Sequence, residues 1–503
     1  MSEHVATSAR GTGDEMLDVL RAHHRGRISL SVYETGRVAA LAPKAHGQRS
    51  RIQFLLAEQR SDGLWGGPGS YALVPTLSAV DALLTTGSAP AAARTGLAAL
   101  HEWLARHHHD ELPDTVAAEL IVPALTDSIN RHLPPHRRLR SHVEGREALT
   151  RTRRVLSSGT DVPAKLLHVL EIAPDLAPLL TSARPVGGLI GASPAATAAW
   201  LGGRTSAEFD VVLDHHGGPV PAFHPITNLE RAWVLPWLRH TGADVRQVPL
   251  ADPGDGVFTA AGLPVDADTT GATLFALALQ GRPQHLDALW QFEQDDHFAT
   301  WIGGERTPSP TTNAHVLEAL GANRNGDPRI DAAIDKIGRW LVDRQRKDGS
   351  WVDKWHASPH YATFCCATAL HRFGGPGAAR AVTAAATWVL ETQRPEGAWG
   401  HWGATAEETA YATTLLLRTT QDRRGGPVCK DAARRLRRAT DGARDFLLQE
   451  TARPQPALWH DKDLYTPHTV VESAVLAAVH QLRASTPQDS AEGPVTGTPA
   501  EST

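Results

Sequence analysis

The sequence predicts an all-α protein assembled from repeated helical hairpins, and three observations carry that expectation. Apolar residues recur at intervals of three and four along most of the chain, sustained alternation of period two occurs nowhere, and one turn motif appears three times. The segments 75–84, 271–279, 313–320, 379–391, 407–418 and 470–482 each carry Ala and Leu at helical spacing, with clusters of Gly, Pro and Asp between them. The repeated motif runs from Gln59 through Gly63 to Trp65, from Gln345 through Gly349 to Trp351, and from Gln393 through Gly397 to Trp399. A helix ending at the Gln, a tight turn at the Gly and a Trp covering the start of the next helix form a hairpin unit. Repetition of such units implies a curved array, or a closed double ring of helices around a central cavity.

At 503 residues the chain exceeds one ordinary hydrophobic core. The placement of the motif suggests one helical barrel over residues 45–235 and a second over 236–484, with residues 1–44 joining the second barrel. The first dozen residues and the tail 485–503 read as flexible. Lys and Arg number 50 against 55 Asp and Glu, for a formal charge of -5, so no bulk electrostatic attraction to nucleic acid is expected. Cys365, Cys366 and Cys429 are too few and too poorly spaced for a disulfide framework or a structural zinc site. The N-terminal residues lack the blocks of a signal peptide and no apolar run reaches membrane-spanning length, which suggests a cytoplasmic enzyme without stable membrane insertion. The run His107 to Glu111 has metal-like composition, but consecutive histidines on a helix point in different directions, so it reads as a solvated turn.

Asp266 and Asp268 lie just before or at the start of an apolar helix that follows a polar, Gly-rich stretch. Carboxylates there ordinarily cap free N–H groups. The other reading is an acid centre, because two neighbouring carboxyl groups cannot cheaply both be charged and one keeps its proton. Asp268 would then be the donor and Asp266 its partner, in protonation of a carbon–carbon double bond. The resulting carbocation needs shielding by aromatic faces, each contributing about 2 kcal/mol when desolvated. Of the 14 Trp, Trp301 and Trp355 stand with Tyr361 in polar, Gly-rich surroundings suited to that role.

The run Asp266-Ala-Asp268-Thr269-Thr-Gly resembles the acid motif of class II terpene cyclases, and the Gln–Gly–Trp units resemble repeats shared with squalene-hopene cyclases. Segments 28–35, 119–125, 165–171, 217–225, 354–363 and 459–467 are similar, in order, to signatures of plant or bacterial members. The resemblance implies two α/α double barrels, called beta and gamma, with the acid in the beta barrel and substrate at their interface. It also implies a retained diphosphate, since no convincing ionising metal motif is found, and Mg2+ as a diphosphate shield. Thr269 stands where the family usually has a further carboxylate, and that variant resembles drimenyl diphosphate synthases. The expectation is therefore cyclisation of farnesyl diphosphate to a bicyclic drimane-type diphosphate. The alternatives are a C20 cyclase giving a labdane or copalyl-type diphosphate and, in another class, a non-catalytic helical-repeat interaction protein. His168 is similar to one half of the His–Asn pair of plant ent-copalyl diphosphate synthases, but Ala222 replaces the Asn. Arg151 and Arg153, in a basic run with Arg146 and Arg154, and Lys354 are candidates for the diphosphate, and Glu119 for the Mg2+ anchor. His168, Trp301, Trp355 and Tyr361 complete the expected substrate surroundings.

Overall fold

The computed structural model describes residues 12–485 except 108–111, 113–114, 141–144, 160–161, 304, 306, 422–429 and 450–454. Residues 1–11 and 486–503 of the expected flexible ends, Cys429 and all but the first residue of the run His107 to Glu111 lie outside the described residues, whereas Thr12 caps the first helix. The architecture is all-α, in the α/α-barrel manner. Six helices, Thr227–Leu238, Ala267–Leu279, Pro310–Ala322, Pro359–Phe373, Ala406–Gln421 and His468–Ala484, contact one another in that order, and the last packs against the first. Outside this ring lie Gly13–Ala22, Pro328–Asp343, Ala378–Glu391 and Lys430–Gln449. Ring helices are buried over most of their length, charged residues such as Glu230 and Glu408 included, whereas the outer helices are amphipathic, as inner and outer layers require.

A second assembly is built from Val32–Leu41, Leu73–Thr86, Ala118–Arg131 and Pro194–Leu201, closed through the short turn Leu170–Ile172. Each assembly has its own apolar core, one dominated by residues 192–482 with Leu17, Leu20 and Ile28, the other drawn from residues 32–199. The helix Thr227–Leu238 packs with Ala267–Leu279 and His468–Ala484 and so belongs to the first of these cores. Trp459–His460 and Leu464–Tyr465 pair as a small antiparallel hairpin. Among the described residues no helix is long and apolar enough to cross a membrane. Cys365 and Cys366 are buried and unbridged, and burial pushes both thiols up, which leaves them as packing groups.

The three repeated turns use the same bonds. Gly63, Gly349 and Gly397 have φ of 86°, 95° and 82°, a region that favours glycine. The Gln carboxamide donates to the Gly carbonyl at 3.1, 2.8 and 2.7 Å, and also to an outer-helix carbonyl at Ala92, Ala381 or Ala439. Each indole N–H reaches back to the preceding helix, at Leu55, Leu341 or Val389. A threonine on the following helix, Thr76, Thr363 or Thr409, accepts the Trp backbone N–H. Gln, Gly and Trp thus tie an outer helix, a turn and a ring helix together at three places.

Candidate active site

The Asp268 helix starts where its sequence places capping groups. Asp266 is the N-cap and accepts the Thr269 N–H at 2.6 Å. Its other oxygen accepts the backbone N–H and the hydroxyl of Thr259 at 3.2 and 3.0 Å, and the Thr259 and Thr269 hydroxyls are 2.8 Å apart. Asp266 is 1% exposed. Burial pushes its carboxyl up to about 7, against the pull of those donors, and the nearby Asp268 adds to the rise.

Asp268 is arranged differently. One oxygen accepts from His315 Nδ1 at 2.7 Å, the other has no hydrogen-bond partner among the described residues, and the side chain keeps 17% exposure. No hydrogen bond joins it to Asp266, so the expected proton-sharing aspartate pair does not form; the helix N-terminus and Thr259 occupy both oxygens of Asp266. The partner of Asp268 is a histidine on the neighbouring ring helix. Burial alone would lower His315, but the Asp268 carboxylate outweighs it and holds the imidazole above its ordinary value. Gly271 permits the contact, since a Cβ there would lie 3.2 Å from the His315 backbone. Asp353 stands near both, accepting from Ser309, Thr311 and Trp355, and burial, reinforced by Asp268, raises its carboxyl.

Aromatic rings extend from this pair. Trp233 meets His315 edge-on at 5.0 Å and donates its indole N–H to the Tyr361 hydroxyl at 2.8 Å. Tyr361 lies 4.9 Å from Trp459, which leads through Tyr465 to Phe223. Glu407 orients the wall by accepting from Tyr411, Trp459 and His356. A cavity of about 300 Å3 abuts His315, Trp233, Tyr361 and Phe364, and also Arg239, Arg372 and Arg418 from the C-terminal ends of ring helices.

The other expected residues are distributed over the molecule. Trp301 and Trp355 form a separate edge-on pair at 6.4 Å, and Lys354 lies over Trp355 while paired with Glu305. Arg151 and Arg153 sit on Arg146–Ser158, bound to Glu147 at 3.4 Å and to Asp175 through two bonds of 3.0 and 2.6 Å. His168 donates to the Gly191 carbonyl at 2.6 Å and faces Asp461 at 3.1 Å, which makes it half of a buried ion pair. Glu119 is half-buried in the first turn of Ala118–Arg131. Among the described residues it joins no group of three or more metal-binding side chains. His315, Asp353, Trp233 and Trp459 were not singled out from sequence; Trp459 lay within a segment carrying the resemblance, whereas His315 sits inside an unremarkable Ala- and Leu-rich helix.

Comparisons with known proteins agree with this geometry. The squalene-hopene cyclase C-terminal domain family matches residues 306–429. The ent-copalyl diphosphate synthase of Streptomyces sp. (strain KO-3988) is 42% identical over 93% of this chain and 95% of its own length. The labda-7,13-dienyl diphosphate synthase of Streptomyces clavuligerus is 41% identical over 91% and 90%. The solved ent-copalyl diphosphate synthase from Streptomyces platensis superposes with a TM-score of 0.81 at 39% identity, covering 93% of this chain and 99% of that one. The fold, the ring and these relatives define an enzyme, a class II terpene cyclase that begins its reaction by protonation. The chain belongs to the bacterial class II diterpene cyclases related to copalyl and labdadienyl diphosphate synthases.

This corrects the expectation of a drimenyl diphosphate synthase acting on farnesyl diphosphate in sesquiterpene biosynthesis. The inference rested on Thr269, and its side chain shows why it fails. Thr269 is buried against Thr259, where it braces Asp266. A residue there acts on the acid motif and does not gauge the length of a prenyl chain.

Proposed function

We propose that the chain converts geranylgeranyl diphosphate into a bicyclic labdane diphosphate of the copalyl type and retains the diphosphate. The Asp268–His315 pair carries the reading, and relatives named for copalyl and labdadienyl diphosphates, which are bicyclic C20 products, support the chain length. In this reading the ring containing Asp268 is the beta barrel, the assembly built on Val32–Leu41 is the gamma barrel, and substrate binds at their junction.

Asp268 is the acid because its second oxygen is free to carry a proton outward. The terminal alkene takes that proton to form a C–H bond, and the O–H electron pair stays on Asp268 as a carboxylate. A cationic His315 beside it stabilises the negative charge that develops on Asp268 as the proton leaves. Ring closure moves the positive charge inward to a tertiary carbon, and a C–H bond beside that carbon then gives its proton to water while its electron pair forms the double bond of the product. Asp266 and Thr269 hold the helix end rigid. Tyr361 and the wall reaching Trp459 shield the cation without serving as bases.

Magnesium belongs to the same reading as a shield for the diphosphate charge. Glu119 would supply one carboxylate oxygen, which suits an ion that takes most of its ligands from phosphate and water. Arg151, Arg153 and Lys354 would bind diphosphate only by exchanging Glu147, Asp175 and Glu305. His168, already paired with Asp461, is a positioning residue.

The test is incubation with C20 and C15 prenyl diphosphates and Mg2+, followed by phosphatase and gas chromatography–mass spectrometry. A bicyclic C20 alcohol, with C15 turnover far lower, is expected. Linear alcohols alone would overturn the activity, and faster cyclisation of the C15 substrate would overturn the chain length.

A further inference from the structure

His215, His216 and His224 form a cluster remote in sequence from the acid motif. His215 ends the helix Ala207–His215, His216 caps it, and His224 precedes Pro225 at the entrance to the ring helix Thr227–Leu238. One ring nitrogen from each lies within 4.8 Å of the others, and among the described residues this is the group of three or more metal-ligating side chains. The three rings contact pairwise, with centroids 4.7, 5.5 and 4.8 Å apart.

The bonding is incomplete in a telling way. His224 is 2% exposed, yet neither ring nitrogen has a hydrogen-bond partner, and Nε2 of His216 is also buried without one. Leaving a buried polar group unpaired costs about 1–3 kcal/mol. A satisfied core histidine would show at least one bond, as His168 does. Burial and mutual proximity push His224 down to about 3 and His216 to about 4, so both present neutral imidazoles at neutral pH. Neutral imidazole is the form that binds metal.

We infer that His215, His216 and His224 form a binding site for a divalent transition metal of the zinc class, with a fourth position open toward solvent. Imidazole suits Zn, Ni and Cu and not the hard Mg2+ ion, so this site is chemically distinct from any diphosphate-linked magnesium. At Zn–N distances of about 2.0–2.1 Å, tetrahedral ligand atoms stand about 3.3 Å apart, so closing the site needs rotations of about an ångström. The exposed His23 and His24 lie near enough to act electrostatically on His215 but do not join the group of ligand atoms. Arg25 acts on the cluster too and weakens the affinity for any cation.

The position gives the metal a task. Residues 23–25 are tied to the start of the ring helix, the Arg25 carbonyl accepting from Ile226 and the His24 carbonyl from Thr227. Phe223, adjacent to His224, packs edge-on against Tyr465 at 5.2 Å in the aromatic wall. A bound metal clasps Ala207–His215 to the loop that carries Phe223, and so stiffens one side of that wall.

The test uses untagged, chelator-treated full-length protein titrated with Co2+ and Zn2+. The wild type is expected to bind one equivalent, to give the intense visible absorption of tetrahedral Co2+, and to show a rise in Tm that saturates with metal. His216→Ala is expected to weaken binding by roughly tenfold or more. His224→Leu removes an unpaired buried imidazole, so the metal-free variant should keep the wild-type Tm or exceed it while losing the metal-dependent rise. Octahedral Co2+ spectra in the wild type would overturn the site. So would binding that survives both variants and disappears with His23→Ala/His24→Ala.

Discussion

Two buried charge clusters in this enzyme share their ingredients and differ in closure. Lys462 is fully enclosed, donating to Glu34, to Glu171 at 2.8 Å and to Ser193 at 2.8 Å, with His168 and Asp461 alongside. Two carboxylates share one ammonium there. Burial drives Glu34 up to about 7 despite that ammonium, and the carboxylates hold Lys462 above its ordinary value. The Asp268 cluster contains a carboxylate and a paired base as well, but one carboxylate oxygen remains free and the side chain is partly open. A closed cluster can only hold elements together, here joining helix Val32–Leu41, turn Leu170–Ile172 and the segment after Trp459. An open one can also exchange a proton with something outside itself.

Breaking the open cluster should have the largest effect. Asp268→Asn is expected to lower cyclisation by about 10⁴-fold while leaving Tm close to wild type, measured by product formation and thermal melting. Breaking the closed cluster should do the reverse. Lys462→Met strands two buried carboxylates and should cost about 3–5 kcal/mol in denaturant unfolding, with activity in the surviving folded fraction reduced far less. If Lys462→Met abolished turnover at unchanged stability, the distinction between the clusters would collapse.

His315 sharpens the comparison, because it separates the charged partner of Asp268 from the mere placement of the carboxyl group. His315→Asn should reduce kcat by about 10²-fold with little change in KM. The sign of the pH dependence follows from the raised imidazole. Its contribution to stability, and the support it lends to Asp268, are fully present below the ordinary histidine value and lost as pH rises through the raised folded value. Asp266 acts in the same direction at lower pH: its carboxyl, raised to about 7 from 3.8, loses its stabilising contribution as pH climbs between those values. A kcat profile that fell on the alkaline side in the wild type and flattened in His315→Asn would agree; identical profiles would remove His315 from the proton chemistry.

The acid motif was legible because a capping aspartate and its neighbour declare themselves within four residues. Its electrostatics were not. Spacing alone left open a helix cap and a carboxylate pair sharing a proton; the helix N-terminus and Thr259 claim Asp266 as a cap, and Asp268 turns to a residue 47 positions away. Arg151 and Arg153 were legible as basic residues, but only the fold reveals that Glu147 and Asp175 already neutralise them. The expected C15 substrate had the same weakness: Thr269 is a local signal, and chain length is not a local property.

What the sequence by itself determined is the material of the rings. Helical spacing and the Gln–Gly–Trp turns are short-range devices, and each closes its bonds largely within a hairpin, so the all-α barrel follows from local rules. Only the tertiary structure decided which helix lies beside Asp268. Ring closure brings Gly271 against the His315 backbone, and the missing Cβ lets an imidazole reach the carboxylate. That distance is set by the packing of whole helices, and it distinguishes a cap from an acid.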